Sequence, residues 1–254
     1  MRFKKNQILE AEIIDITNLG FGVAKADGEV IFIADTVPGD KVRLKVIKVA
    51  SNYAIGKAED YLSLSEKREK RCENRLCKAC AYKNISYAHE AELKAEAVRQ
   101  IFKKAGLPEV KIGEIITSPA TCAYRNKAQY PISRDKNGDY QIGFFAPKSH
   151  RVTDAVDCPL APKIFAEILT EAREYFNEND LSAYDEESGK GLLRHIYLRR
   201  GEVSGEVLLT FVINGTSLPN SEDLVRRMTA KFPEIVGILI NENKKNTNII
   251  LGEK

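Results

Sequence analysis

Hydrophobic and polar residues alternate one by one over most of the first sixty positions of the chain. This alternation is typical of short β-strands with one buried face, and glycine-rich and Pro-Gly-Asp turns separate the segments that show it. Four strands are predicted in this way, at residues 8–16, 29–33, 42–49 and 53–58. Several short strands at this spacing predict a small closed barrel of the OB type.

Three later segments repeat their apolar residues with the period of a helix. The first, about residues 86–105, places alanine, valine and phenylalanine on one face, at Ala88, Ala91, Ala95, Val98 and Phe102. The other two helices are predicted at 161–178 and at about 220–231, the latter with Ser221 as its cap.

Strands are predicted between and after these helices. They form two hairpins and a closing pair, at 129–133 with 140–145, 195–200 with 207–213, and 235–241 with 247–251. The predicted fold class is therefore α+β, with an OB-like barrel followed by a mixed central domain.

Composition narrows the class of protein. The chain has 254 residues, of which 43% are hydrophobic and 30% charged, as in a globular protein with a core. No apolar run is long enough to span a membrane and no signal-peptide core follows the first residues, so a cytoplasmic protein is expected. The net charge of +3 divides into +6 over residues 1–160 and −3 over 161–254, which favours a polyanionic partner on one side.

The cysteines predict a metal site. Cys72, Cys77 and Cys80 lie within nine residues of each other, and Cys158 precedes a proline, as the last ligand of many iron–sulfur sites does. These four are the predicted ligands of a 4Fe–4S cluster, with structural zinc as the alternative. Cys122 lacks such a context and is expected to be a small buried hydrophobe.

These motifs, in this order, resemble the RNA (uracil-C5)-methyltransferase family, particularly its 23S rRNA 5-methyluridine branch. The resemblance is carried by Gly20–Ala24 and Val37–Asp40 in the barrel, by the cysteine run, and by later segments. Those segments are Tyr124–Lys127, Gly143–Phe145, Asp157–Pro159, Leu193–His195 and the closing Asn246–Gly252. The first cysteine gap is one residue shorter than the family's, and Lys78-Ala79 replaces its usual glycine pair.

The resemblance implies an RNA-binding TRAM barrel over residues 1–66 and a central cluster-binding and RNA-recognition domain over 67–254. It implies that the helical segment at about 84–110 packs on a methyltransferase domain. The chain has no glycine-rich strand-to-helix turn, and four of its five cysteines are assigned to the metal. The expectation is therefore a chain without the S-adenosylmethionine-binding domain or the nucleophilic cysteine, inactive by itself in methyl transfer.

The expected function is to recognise 23S rRNA for S-adenosylmethionine-dependent uracil-C5 methylation, as a monomer. The alternative is a stand-alone, non-catalytic RNA-binding module with a structural metal site. Phe144 and Phe145 are expected to stack on bases, and His195 is expected to be structural rather than catalytic. The predicted RNA contacts are Lys4, Lys5, Tyr124, Arg125, Lys127, Lys148, Arg151, Arg194, Arg199 and Arg200.

Overall fold

A computed structural model describes residues 3–74, 76–147 and 149–254. The chain divides into two compact units, and each is described by itself. Unit 1 comprises residues 1–73 and 80–119, and unit 2 comprises residues 74–79 and 120–254. None of the helices in the described ranges is both long enough and apolar enough to cross a membrane.

Unit 1 contains a closed five-stranded barrel in the order β1-β2-β3-β5-β4. Alternate residues of each strand point inward, and the resulting core is lined by valine, isoleucine, leucine and alanine. This is the barrel that the alternating pattern predicted, with β5 five residues longer than expected. The strands are β1 (Ile8–Ile16), β2 (Phe21–Ala26), β3 (Glu29–Ala34), β4 (Lys41–Val49) and β5 (Tyr53–Ser63).

Glycine allows the sharp entry into β2. Gly20 has a φ of +80°, and a Cβ there would lie 2.3 Å from the carbonyl oxygen of Ala81, so no other residue fits without displacing the backbone. The sequence places Gly20, Phe21 and Gly22 in a turn, whereas the structure starts β2 at Phe21.

A buried carboxylate holds the end of the barrel together. Asp40 is fully buried and accepts hydrogen bonds from the backbone N–H groups of Val37, at 2.7 Å, and Ser65, at 2.9 Å. The Arg68 guanidinium donates to the same carboxylate and, at 3.0 Å, to the Asp35 carbonyl oxygen. Burial opposes the charge on Arg68, but the hydrogen bond to Asp40, the Asp40 charge and the contact with Tyr61 together outweigh burial and raise the pKa of Arg68.

The helix α1 (Tyr87–Lys104) of unit 1 lies where it was predicted, but it does not bury the predicted face. Of the five residues expected to form its apolar face only Ala91 is buried, and Val98 is 40% exposed. The charged residue Glu90 is buried instead, because Arg71 at 2.5 Å and Lys94 at 2.6 Å pair with its carboxylate. Burial opposes the charge on Glu90, but these two bonds prevail and lower the pKa of the carboxyl group.

Unit 2 is a six-stranded sheet with two helices packed on one face. The strand order is β11-β10-β9-β6-β7-β8, and every neighbouring pair is antiparallel except β10 with β11. The strands are β6 (Lys127–Arg134), β7 (Tyr140–Phe145), β8 (Val152–Asp154), β9 (Leu193–Arg200), β10 (Val207–Ile213) and β11 (Ile235–Glu242). The helices are α2 (Lys163–Glu178) and α3 (Ser221–Lys231).

The core of unit 2 lies between the sheet and these helices. Phe176 of α2 is fully buried, and its ring centroid lies 6.1 Å from that of Phe211 on β10. Tyr130 and Ile196, register partners on β6 and β9, face the same core. Residues one position away on these strands point to the opposite face of the sheet.

Two local predictions in unit 2 need correction. The short strand β8 is absent from the prediction, and the predicted closing strand at 247–251 is a series of bends. The Asn243 side chain donates to the carbonyl oxygens of Ile249, at 2.7 Å, and Ile250, at 3.0 Å. A side-chain amide therefore satisfies the backbone groups that a strand ladder would have used.

Candidate RNA-binding surfaces

The five cysteines are thiols rather than disulfides. Cys72 and Cys80 belong to unit 1, whereas Cys77 and Cys158 belong to unit 2. Burial raises the pKa of the Cys158 thiol, and the neighbouring Cys77 raises it further. The Leu160 and Ala161 backbone groups and Arg125 act in the opposite direction.

The predicted metal centre is wrong. No group of three or more histidine, cysteine or carboxylate side chains that could hold a metal ion is found in residues 3–74, 76–147 and 149–254. Spacing along the chain does not fix where four sulfur atoms lie, and the prediction rested on that spacing. The 4Fe–4S cluster and its zinc alternative are therefore withdrawn. Cys122, expected to be buried, is exposed.

The predicted RNA contacts are divided between the two units. Lys4 and Lys5 lie exposed before β1, while Tyr124, Lys127, Arg151 and Arg199 are exposed in unit 2, where Arg200 is partly exposed. Lys148 lies outside the described residues.

Arg125 and Lys127 do not share a strand face, because β6 begins at Lys127. The Arg125 guanidinium lies 5.7 Å from the centre of the Phe144 ring, and Phe144 packs against the core beneath α2. Phe145 points the other way and is 41% exposed.

Arg194 is a structural residue and not an exposed phosphate contact. It is 2% exposed, and its guanidinium donates to the carbonyl oxygens of Asn243, at 2.9 Å, Lys245, at 2.7 Å, and Thr247, at 3.2 Å. It also lies 4.2 Å from the centre of the Tyr184 ring. Arg194 thus holds the segment after β11 against the sheet.

His195 is buried next to Arg194. Burial, reinforced by the Arg194 charge, lowers the pKa of His195 to about 4, so the ring is neutral at pH 7. A neutral, buried imidazole does not attract phosphate electrostatically, in keeping with the structural role predicted for this histidine.

The structure reveals a basic surface on the barrel that the sequence prediction missed. Lys45 on β4 and Lys57 on β5 are direct register partners that point outward. Alternation along each strand marks both as exterior positions, but only the pairing of β4 with β5 shows that two like charges face each other.

A second like-charge pair lies on the sheet of unit 2. Lys127 on β6 and Arg199 on β9 are direct register partners, and both are exposed. Both residues belong to the predicted contacts, but their adjacency follows only from the antiparallel register of two strands that are far apart in sequence.

Comparison with known proteins gives these surfaces a context. Residues 2–58 match the TRAM domain model. An uncharacterized RNA methyltransferase of Clostridium acetobutylicum is 35% identical over 99% of this chain, and one of Oceanobacillus iheyensis is 32% identical over 98% of it. The chain spans about 55% of the length of each of these curated relatives.

A solved structure has the same fold. The Pyrococcus abyssi tRNA (uracil-54, C5)-methyltransferase in complex with S-adenosyl-L-homocysteine matches with a TM-score of 0.73 and 22% identity. The match covers 96% of this chain and 54% of that chain.

These matches correct the sequence-based expectation in several respects. The chain was predicted to be an iron–sulfur, non-catalytic part that is separate from the methyltransferase. It aligns with RNA methyltransferases throughout its length, so that prediction is not upheld. The solved neighbour binds S-adenosyl-L-homocysteine, and the matches do not support the predicted inactivity of this chain. They do not single out the 23S rRNA branch. The chain is thus similar over nearly all of its length to RNA methyltransferases, with a TRAM domain at its start.

Proposed function

We propose that this chain takes part in S-adenosylmethionine-dependent uracil-C5 methylation of RNA, with 23S rRNA as the target, and that it holds the RNA as a monomer. One observation carries the proposal: an uncompensated pair of lysines beside two aromatic rings on the outside of the barrel. This surface, the barrel face, comprises Phe32, Lys45, Tyr53, Ile55 and Lys57.

The charges on β4 divide into two groups. Lys41 lies 3.8 Å from the Glu12 carboxylate, and Arg43 lies 3.3 Å from that of Asp60, so both are compensated. Lys45 and Lys57 face each other, and neither has an ion-pair partner within the described part of the chain. Like charges directly opposite each other destabilise a sheet, and a bound phosphate removes that cost.

The aromatic rings on the same surface can stack with bases. The Phe32 and Tyr53 centroids lie 5.4 Å apart in an edge-to-face arrangement, and Tyr53 is 36% exposed. Ile55 separates Tyr53 from Lys57 along the outward side of β5. Aromatic platforms with nearby cations are typical of single-stranded nucleic-acid binding, and OB-type barrels commonly carry them.

We expect the double variant Lys45→Gln/Lys57→Gln to bind RNA more weakly than wild type while remaining at least as stable. Removing two phosphate contacts should lower the slope of log K against log salt by about 1.4 and the affinity at low salt by roughly ten-fold. Relief of the like-charge contact should add up to about 1 kcal/mol to the free energy of unfolding. Fluorescence anisotropy with a single-stranded rRNA fragment and thermal melts measure the two effects.

The matched control is Lys103→Gln/Lys104→Gln, which removes the same charge from exposed positions at the end of α1. Equal loss of affinity in both double variants would show that net charge, and not the barrel face, governs binding. Unchanged affinity in the barrel variant would remove the observation on which the proposal depends.

Deletion of the gene should remove a 5-methyluridine from 23S rRNA, as measured by mass spectrometry of nucleosides from purified rRNA and tRNA. A loss confined to tRNA would contradict the 23S rRNA target. Unchanged 5-methyluridine in both RNAs would contradict the proposed function itself. Reintroduction of the wild-type gene is the control, and the barrel variant should restore less methylation than wild type.

A further inference from the structure

We propose that residues 252–254 form a removable strap over the outer edge of the unit 2 sheet, and that their release allows β11 to pair antiparallel with β11 of a second copy of this chain. These residues, the strap, lie beside Asn241 and Glu242 at the end of β11. The inference goes beyond the proposed function and does not depend on RNA. With the strap in place the chain is the monomer of that function.

The two edges of the sheet differ in how readily they can pair with another strand. At one edge, β8 has only three residues, and the Asn74 side chain donates to the carbonyl oxygen of Asp154, its last residue, at 2.6 Å. At the other edge, β11 has eight residues, and positions 235–241 carry neither a charge nor a proline. Val236 is 59% exposed and Leu239 is 48% exposed. A long, uncharged and apolar edge strand favours pairing with another chain, whereas a very short one does not.

The backbone of β11 has free hydrogen-bonding groups at this edge. The Asn243 N–H bonds inward to the Ile213 carbonyl oxygen of β10, at 2.9 Å, whereas the Glu242 N–H points outward. Successive residues of a strand direct their backbone groups to opposite sides, so the groups of Ile238 and Ile240 also point outward. Neither residue has a partner for these groups within the described part of the chain.

The strap is bonded to the last two residues of β11. The Glu242 N–H donates to the Lys254 carbonyl oxygen at 3.0 Å. The Asn241 side-chain oxygen accepts from the Gly252 N–H at 2.7 Å, and its nitrogen donates to the carbonyl oxygens of Gly252, at 3.3 Å, and Lys254, at 2.6 Å. A side-chain amide thus makes bonds to the strap that a neighbouring strand would make with its backbone.

The strap contacts β11 closely but is held by few groups. A Cβ at Gly252 would lie 1.8 Å from the Glu242 carbonyl oxygen and 3.0 Å from the Asn243 Cα, so a larger residue there must displace the strap. Glu253 forms an ion pair with Lys245 in which both side chains are mostly exposed. A segment held by a few exposed contacts opens at a low cost in free energy, so the strap is removable.

The free backbone groups determine how two copies can pair. An antiparallel arrangement centred on Leu239 sets Ile238 opposite Ile240 of the second copy, and each of these residues then donates to and accepts from the other. The two Leu239 side chains meet on the two-fold axis. In the same arrangement Val236 of the second copy lies opposite Glu242, where the strap is. The strap and the second copy therefore exclude each other.

Charge favours this register over its neighbour. Pairing centred on Leu239 sets Glu234 opposite Lys244 of the second copy, which gives an attractive pair at each end of the contact. Pairing centred on Ile238 sets Glu234 opposite Glu242 of the second copy instead, and like charges directly opposite each other destabilise a sheet. The partner that fits this edge is therefore a second β11 in one defined register.

Gly252→Val tests the strap in the whole chain. The added side chain cannot share the space of the Glu242 carbonyl group, so we expect sedimentation velocity to show a monomer for wild type and a concentration-dependent dimer for the variant. Asn241→Ala, which removes the side-chain bonds to the strap, should act in the same direction. Gly113→Val is the matched control and should stay monomeric, because a Cβ at Gly113 meets no atom within 4 Å.

Two further substitutions, each added to Gly252→Val, test the edge and its register. Leu239→Lys places two like charges on the two-fold axis and should restore the monomer. Glu234→Lys should weaken the dimer roughly ten-fold, because the new lysine faces Lys244 of the second copy at both ends of the contact. In a register centred on Ile238 the same substitution would strengthen the dimer.

Hydrogen exchange of peptides covering residues 241–254 shows whether the strap has been released. If the strap is released in Gly252→Val and Asn241→Ala and both stay monomeric at every concentration, β11 does not pair and the inference fails. It also fails if the strap stays protected in both variants, if wild type dimerises as strongly as Gly252→Val, or if Leu239→Lys leaves the dimer intact. Loss of RNA binding by wild type would contradict the proposed function alone.

Discussion

Replacing Arg68 by methionine should destabilise unit 1 by about 3–5 kcal/mol, because the substitution leaves the Asp40 carboxylate buried without its cation. Asp40 is fully buried, and the Arg68 side chain is 20% exposed, so water cannot replace the lost partner at low cost. The variant also loses the hydrogen bond to the Asp35 carbonyl oxygen and the contact with the Tyr61 ring, at 5.0 Å.

Hydrogen exchange measured by mass spectrometry on β1–β5 peptides reports this loss for unit 1 alone. Arg43→Met is the matched control, since Arg43 forms an exposed ion pair with Asp60 and should cost less than about 1 kcal/mol. Adding Asp40→Asn to Arg68→Met should recover part of the stability by removing the stranded charge. A loss below 1 kcal/mol in Arg68→Met would contradict the role assigned to this pair.

Replacing Arg194 by methionine should destabilise unit 2 by about 3–5 kcal/mol. The substitution removes the guanidinium that donates to three backbone carbonyl groups and lies 3.5 Å from the Glu186 carboxylate. The Arg194 side chain is almost fully buried, so water cannot replace it. The segment 243–247 should then detach from the sheet, and its amides should exchange faster than those of β9 and β10.

Arg199→Met provides an informative comparison on the same strand. Arg199 is exposed, so its replacement should change the free energy of unfolding by less than about 0.5 kcal/mol while weakening RNA binding. Arg194→Met should show the opposite pattern. Its free energy of unfolding should fall, while the RNA affinity of the molecules that remain folded should be unchanged. Equal stability of the two variants would refute the structural role of Arg194.

Alternation in the sequence predicted the barrel well because each strand has an apolar face toward the core and a polar face toward solvent. In β4, Val42, Leu44 and Val46 are buried and the residues between them are polar, so period 2 was unambiguous. The helix α2 was predicted to within two residues at its start for the same reason, since Phe165, Ile168, Leu169 and Ala172 all face the core.

The helix α1 shows where periodicity misleads. Its alanines, valine and phenylalanine repeat as a buried stripe would, yet Ile101 is 65% exposed and the buried polar residue is Glu90. Burial of Glu90 depends on Arg71, nineteen residues earlier in the chain, and no local pattern contains that information.

The cysteines were misjudged for a related reason. Their spacing along the chain is that of a ligand set, but the described residues contain no group of three or more histidine, cysteine or carboxylate side chains that could hold a metal ion. Sequence proximity was treated as spatial convergence, although spacing along the chain does not fix where the side chains lie.

The sequence by itself determined the barrel, the two helices that pack on the sheet, and most strands of that sheet, because hydrophobic periodicity is a local property. It also identified the exposed cations Lys127 and Arg199. Only the tertiary structure decided that Lys127 faces Arg199, that Lys45 faces Lys57, and that Arg194 is buried. The physical reason is that register between strands sets which charges meet, and register is fixed by the core on the opposite face of the sheet.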